Sequence, residues 1–216
     1  MIVIDKPAGI VVHPNPKRGA PSGESLEDYF DALRFGLPRP PALAHRLDRD
    51  TTGCLVLGRH RKALAKLGKL FQQNRIEKTY WAVCRGAPPT SSGCIEAPLK
   101  KLNDPSGWRM AIDADGQPAV TDYSMISQSG GLSFIEARPR TGRTHQIRVH
   151  LASIGCPIVG DPQYGDPGAG DRRPAMMLHA RRISLPISKS RPPVVVEAPP
   201  PAPMAAFLAE HGFELE

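Results

Sequence analysis

Proline and glycine limit this chain before any motif is considered: 24 prolines and 20 glycines fall among its 216 residues. Proline removes a backbone donor and glycine gives up stiffness, so both interrupt regular elements. What remains is a set of short elements joined by many turns, or a ragged tail. A hydrophobic fraction of 40% is enough to bury a core and excludes a wholly disordered chain. No stretch approaches the ~18 apolar residues of a membrane helix, and Met1–Pro7 lacks the charged-then-apolar order of a signal peptide. The expectation is a single cytoplasmic globular domain with no membrane partner. With 28 Lys and Arg against 21 Asp and Glu, the charge of +7 points to a polyanionic partner but to no activity. The cysteines at 54, 84, 94 and 156 form no Cys-x-x-Cys pair and read as reduced, structural residues.

Short apolar runs at 1–4 and 10–12 flank Asp5-Lys-Pro-Ala-Gly9 and predict two strands around a turn. Leu26, Tyr29, Phe30 and Leu33 follow helical spacing, as do Leu64, Leu67, Leu70 and Phe71 in a second helix near 61–74. Strands are predicted at 54–57, 78–85, 176–187 and 194–197, and a hairpin at 120–138 turning on Gly130-Gly131. Thr144 is placed to cap a helix carrying Ile147, Leu151 and Ile154, which Gly155 ends. The stretch 192–203, half of it proline, predicts an edge strand or coil rather than a helix. Strands dominate, so the fold class is α+β with a mixed, mostly antiparallel sheet flanked by helices and loops.

Chemistry concentrates in three places. The segment His45-Arg46-Leu47-Asp48-Arg49-Asp50-Thr51-Thr52-Gly53 lies between a proline stop and a strand, a loop held by a scaffold. A carboxylate among guanidiniums stays ionised, as a nucleophile must; the same residues also read as a plain salt-bridge loop. Asp48 and Asp50 lack a third acidic neighbour, and the arginines would repel a magnesium ion. The segment 138–150 carries Arg138, Arg140, Arg143 and Arg148 beside a helix start and reads as an anion site. His145 and His150 lack the i, i+4 spacing of a zinc-binding helix. Tyr80 and Trp81 are adjacent aromatics in a chain only 6% aromatic; Tyr80 reads as a base-stacking ring or as core, Trp81 as core. Gly160-Asp161 with Tyr164-Gly165 reads as turn chemistry, and Gly168-Ala-Gly170 has no meaning for phosphate binding. No Walker or Rossmann motif is present. The sum is chemistry on a nucleic acid without an energy source.

Six blocks in one order now carry a resemblance: Asp5-Lys-Pro-Ala-Gly9 with Val12-His-Pro14; His45-Arg-Leu-Asp48 with Thr51-Thr-Gly53; Lys78-Thr-Tyr80; Thr141 through His150; Gly160-Asp161 with Tyr164-Gly165; and Leu178-His-Ala180. The chain resembles the RluA family of RNA pseudouridine synthases over nearly its whole length. One departure is Thr52, where the family usually has serine. Another is the start: many members carry a small N-terminal RNA-binding domain, so the expectation here is a bare catalytic domain over 1–216. The resemblance implies the pseudouridine synthase fold and isomerisation of uridine in structured tRNA or rRNA, with no cofactor, no nucleotide and no metal. It implies Asp48 as the catalytic aspartate, Tyr80 as the stacking tyrosine and Arg143 as the basic partner of Asp48. Arg46 matches the residue that fills the space left by a flipped base, and Leu178 an apolar wall of the pocket. The absence of a surplus apolar stripe suggests a monomer. The rivals are a catalytically silent RNA-binding module on the same fold and a magnesium-dependent nuclease using Asp48 and Asp50.

Overall fold

A computed structural model describes residues 1–14, 24–104, 107–165 and 174–214; Gly168 and Gly170 lie outside them. The strands are β1 (Ile2–Lys6), β2 (Ala42–Leu43), β3 (Thr52–Gly58), β4 (Glu77–Arg85), β5 (Ser92–Glu96), β6 (Leu99–Asp104), β7 (Gly107–Ile112), β8 (Val120–Ser129), β9 (Leu132–Pro139), β10 (Leu178–Leu185) and β11 (Val194–Glu197). The helices are α1 (Arg61–Gln72), α2 (Gln146–Ser153) and α3 (Ala202–Glu210), with a 3-10 helix at Leu26–Leu33. Nine strands form one sheet in the order β1-β3-β10-β4-β9-β8-β5, with β2 on β3 and β11 on β10; β6 and β7 form a separate hairpin. Among the strand pairs of the described residues, only β3–β10 is parallel. The α+β, mostly antiparallel expectation therefore holds. No helix among the described residues is long and apolar enough to cross a membrane.

The core follows from the apolar runs. All seven residues of β3 are buried, because strands lie on both of its edges and helix or loop covers its faces. Leu67 and Leu70 of α1 and Ile183 and Leu185 of β10 pack around Cys54 and Val56. A second cluster joins Ala82 and Cys84 of β4, Phe134 and Ile135 of β9, Leu151 of α2, and Met204 and Leu208 of α3. Cys54, Cys84 and Cys156 are buried free thiols; Cys94 is exposed.

Several elements differ from expectation. Residues 10–12 are not a strand: Gly9 N–H donates to the Arg49 carbonyl (3.0 Å) and Val11 makes an isolated bridge to Ser25. The segment is thereby drawn along the Asp48 loop instead of along β1. The helix at 26–33 is 3-10, with Phe30 buried and Tyr29 half exposed. The helix after Thr144 starts at Gln146, with His145 at its N-cap in the left-handed region (φ 53°). The proline-rich stretch 192–203 is edge strand (β11) and coil as far as Pro201, but its last two residues open α3: Pro201 caps the helix and Pro203 sits in its first turn, where a missing N–H leaves no bond unmade.

Candidate active site

The Asp48 loop ends where β3 begins, and two features hold it. Lys6 is fully buried and donates from Nζ to the carbonyls of Pro7 (2.6 Å) and Arg49 (2.8 Å). Burial pulls its pKa down to about 8, against the opposing pull of Asp50 and Asp48. Gly53, at φ +103°, lets β3 approach β10 so closely that a Cβ would lie 2.4 Å from the Ala180 carbonyl oxygen. Next to it the Thr52 hydroxyl meets His179 Nδ1 at 2.8 Å, while His179 Nε2 donates to the Ala198 carbonyl at 3.1 Å. Thr52, the residue that departs from the family pattern, thus keeps a hydroxyl that is bonded in the core.

On the other side of the loop, His45 accepts the Val56 N–H at 3.0 Å and stacks on Phe71 with ring centroids 4.6 Å apart. Burial, and secondarily the charge of Lys78, lowers its pKa to about 3, so this ring is a neutral strut. The loop between these anchors carries Asp48, whose side chain is 20% exposed and so reachable.

The guanidinium on Asp48 is that of Arg148, with Nη1 3.1 Å from Oδ2. Arg143 does not fill this role: its Nε donates to the Pro118 carbonyl at 3.0 Å, and it lies in the loop before α2. The reason is the late start of α2. With His145 left-handed at its N-cap, residues 146 to 151 are all buried, and Arg148 is aimed at Asp48 from inside the helix packing. Arg148 is also held from behind by Asp161, through Nε to Oδ2 (2.7 Å) and Nη2 to Oδ1 (2.8 Å). Burial opposes the charge on Arg148, but the hydrogen bonds and charges of Asp161 and then Asp48 outweigh it and raise its pKa. For Asp161, burial would raise the pKa, yet the bonds from Arg148, Gln163 and Tyr164 lower it. The Gly160-Asp161 block is therefore the anchor of Arg148. Gly160 is required there because, at φ +76°, any Cβ would fall 2.3 Å from the Ala175 carbonyl.

A third group stands near Asp48: His145 Nε2 is 3.8 Å from Oδ2. Its Nδ1 lies 2.8 Å from the Tyr164 hydroxyl, which accepts the Met110 N–H at 2.9 Å. The Tyr164 hydroxyl thus bridges the Met110 backbone and the imidazole, and holds the ring with Nε2 facing Asp48. Trp108 stacks on the same imidazole at 5.0 Å, and Lys101 lies 4.9 Å above Trp108. Burial lowers the His145 pKa, partly offset by Asp48. Both Trp108 and Met110 belong to the β6–β7 hairpin.

Two connected cavities meet at Asp48. The inner one, about 450 Å³, is lined by Tyr80, Leu178, Phe71 and Ile147 with Lys78, Arg148 and Asp48. The outer cleft, about 1520 Å³, runs past the hairpin and carries Lys100, Lys101, Trp108, Arg49 and Gln163. Arg46, exposed, and Arg143 line both. Tyr80 faces a bulge: the β4–β10 register shifts between His179 and Arg182, opposite this tyrosine. Burial, followed by the charge of Asp48, raises the Tyr80 pKa, so the phenol stays neutral. The structure places Asp48, Tyr80, Leu178 and Arg46 on the lining of one cavity. It adds Arg148, Asp161, His145 and the hairpin, and it leaves Arg143 at the mouth. Asp50 is engaged by Arg49, with Nε 3.0 Å from Oδ1. Among the described residues no three His, Cys, Asp or Glu side chains are grouped to hold a metal ion.

Such an arrangement can admit a flat ring into the inner cavity, with its attached backbone in the basic outer cleft. Comparison with known proteins agrees. Residues 1–153 match the RNA pseudouridylate synthase family. An uncharacterised RNA pseudouridine synthase of Zymomonas mobilis is 44% identical over 93% of this chain and 90% of its own length. Ribosomal large subunit pseudouridine synthase D of Nitrosomonas europaea is 37% identical over 96% of this chain, which spans 62% of that relative. The solved structure of human RNA pseudouridylate synthase domain containing 4 superposes with a TM-score of 0.80 at 26% identity, covering 99% of this chain and 90% of the human one. On these grounds the chain belongs to the RluA family of RNA pseudouridine synthases, enzymes that isomerise uridine in RNA.

Proposed function

We propose that residues 1–216 work as one monomeric, cytoplasmic catalytic unit that converts a uridine in a tRNA or rRNA stem-loop to pseudouridine, with Asp48 as the catalytic aspartate. The observation that carries this reading is the position of Asp48 at the junction of the two cavities. Its two contacts fall on the same oxygen: Oδ2 meets Arg148 and His145, and Oδ1 is uncommitted among the described residues.

The chemistry follows from that geometry. A stacked uridine hides its glycosidic bond, and extruding it costs a few kcal/mol. Arg46, exposed beside the pocket, fills the vacated stack and offsets part of that cost. The base enters between Tyr80 and Leu178, and its phosphates follow the basic outer cleft. Asp48, oriented by Arg148, engages the nucleoside at the ribose or at uracil C6. The C1′–N1 bond breaks, the base turns, and C1′–C5 forms; the C5 proton leaves and N1 gains one. Nothing is oxidised or reduced, so the chain's own residues suffice. Arg148 takes the role first expected of Arg143, while Arg143 meets the RNA at the mouth of the cavity.

The test is tritium release from C5-labelled uridine in ribosomal RNA and tRNA transcripts, with EDTA present. The native chain releases tritium and Asp48→Asn releases none. Release that the chelator abolishes, or that survives Asp48→Asn, overturns the mechanism. Mapping pseudouridine by carbodiimide primer extension, with and without the gene, identifies the RNA.

A further inference from the structure

Lys78 and Tyr80 stand two residues apart on β4, so the pleat sends both side chains to one face of the sheet. That face is the wall of the inner cavity. Lys78, Tyr80 and Leu178 line this cavity alone, whereas Asp48, Arg46, Arg143 and Arg148 line the outer cleft as well. The Lys78 ammonium has left water without gaining a counter-ion among the described residues. Its contact is a 3.1 Å hydrogen bond from Nζ to the Thr141 carbonyl, and a Cβ added at the next residue, Gly142, would stand 3.7 Å from the same nitrogen. An ammonium has three hydrogens to donate, so two remain. Burial draws its pKa down to about 8. The other charged and titratable groups around this cavity are Asp48, Arg46, Arg143, Arg148, Tyr80, His145 and the neutral His45. The carboxylate among them is already bonded to Arg148. A largely buried cation with spare donors in a pocket shaped for a ring is matched by an acceptor on that ring.

Resting on the reading above, we propose that Lys78 is a further catalytic residue, donating a hydrogen bond to O2 or O4 of the extruded uracil and stabilising the charge the base takes on as C1′–N1 breaks. The electron pair of that bond stays with the base and spreads over N1, O2 and O4. Lys78 shares its hydrogen but keeps it. When C1′–C5 forms and the C5 proton departs, N1 is reprotonated and Lys78 ends as it began. Because the base carries more charge in the transition state than when bound as uridine, the contact acts on kcat more than on affinity. A phosphate is the less fitting acceptor, since the cations that track a strand lie in the outer cleft and Lys78 does not.

The experiment pairs protein variants with atom-level changes in the RNA. A transcript that the native chain modifies is rebuilt with uridine, 2-thiouridine or 4-thiouridine at the target, sulfur being a weak acceptor. Lys78→Met is expected to slow single-turnover tritium release by about 10²–10³-fold, with RNA affinity within about twofold, and Lys78→Arg to restore part of the rate. One of the two sulfur substitutions is expected to slow the native chain while leaving the residual rate of Lys78→Met unchanged. Equal sulfur sensitivity of both chains at both positions overturns the proposal and leaves Lys78 as a tie to the Thr141 loop. A defect confined to RNA affinity, with a shallower salt dependence, overturns it in favour of a phosphate contact. An active native chain with undiminished Lys78→Met overturns this inference alone, whereas a silent native chain overturns the proposed function with it.

Discussion

Replacing Asp161 by asparagine tests how Arg148 is held. The Asp161 side chain is 0% exposed and that of Arg148 is 6% exposed. The carboxylate accepts two hydrogen bonds from the guanidinium and two more from the backbone N–H groups of Gln163 (2.8 Å) and Tyr164 (3.0 Å). Asparagine keeps one acceptor but turns an amide NH₂ toward the guanidinium and deletes its buried counter-charge. Breaking a buried pair from one side costs about 3–5 kcal/mol. For a domain of this size each kcal/mol lowers the melting temperature by roughly 2–4 °C, so the loss is about 6–20 °C. Calorimetry and urea unfolding read it, and tritium release should fall by about 10²-fold as Arg148 loses its orientation toward Asp48. The low pKa of Asp161 fixes the sign of the pH dependence: the stabilisation is present above the unfolded carboxylate pKa and lost as pH falls below it. The gap between native and variant should therefore close in acid. The double variant Asp161→Leu with Arg148→Met, which removes both charges, should be more stable than Asp161→Asn yet inactive. An Asp161→Asn chain within 1 kcal/mol of native at neutral pH would refute the reasoning, because Arg148 would then be supported by something other than this pair.

Other outcomes follow from the same geometry. Arg148→Met should abolish tritium release, whereas Arg143→Ala should keep kcat within about tenfold and weaken RNA binding in a salt-dependent way; the reverse pattern would restore Arg143 as the partner of Asp48. Tyr164→Phe removes the hydroxyl between Met110 and His145, and should cost about 1–3 kcal/mol in urea unfolding while lowering kcat more than affinity. Burial lowers the pKa of His45, His145, His150 and His179. The unfolded chain then binds more protons below its histidine pKa of 6.5, so stability should fall as pH drops from about 7 to 5; a melting temperature rising over that range would contradict it.

The sequence exposed the Asp48 loop because charge and hydroxyl residues crowd between a proline stop and an apolar run, a local signal. Tyr80 and Leu178 were readable only as motif matches, since their shared cavity needs β4 and β10 side by side. Arg148 could not be separated from Arg143 by spacing. Helical periodicity assumes one buried face, whereas α2 buries six successive residues, so the direction of each side chain depends on packing. Asp161 looked like turn chemistry because its partner lies 13 residues back, on another element. The β6–β7 hairpin, half exposed, shows too little alternation to register. The α3 helix was hidden by prolines that local rules place in coil, although they fall at its first turn.

The parallel seam between β3 and β10 also sets a schedule for synthesis. Thr52 meets His179 across 127 residues of chain. At about 5–20 residues per second, a ribosome needs roughly 6–25 s to make the second after the first. Until then Gly53 has no Ala180 to close against, and the wall bearing Leu178 does not exist. The carboxylate of Asp48 is thus made early and housed late.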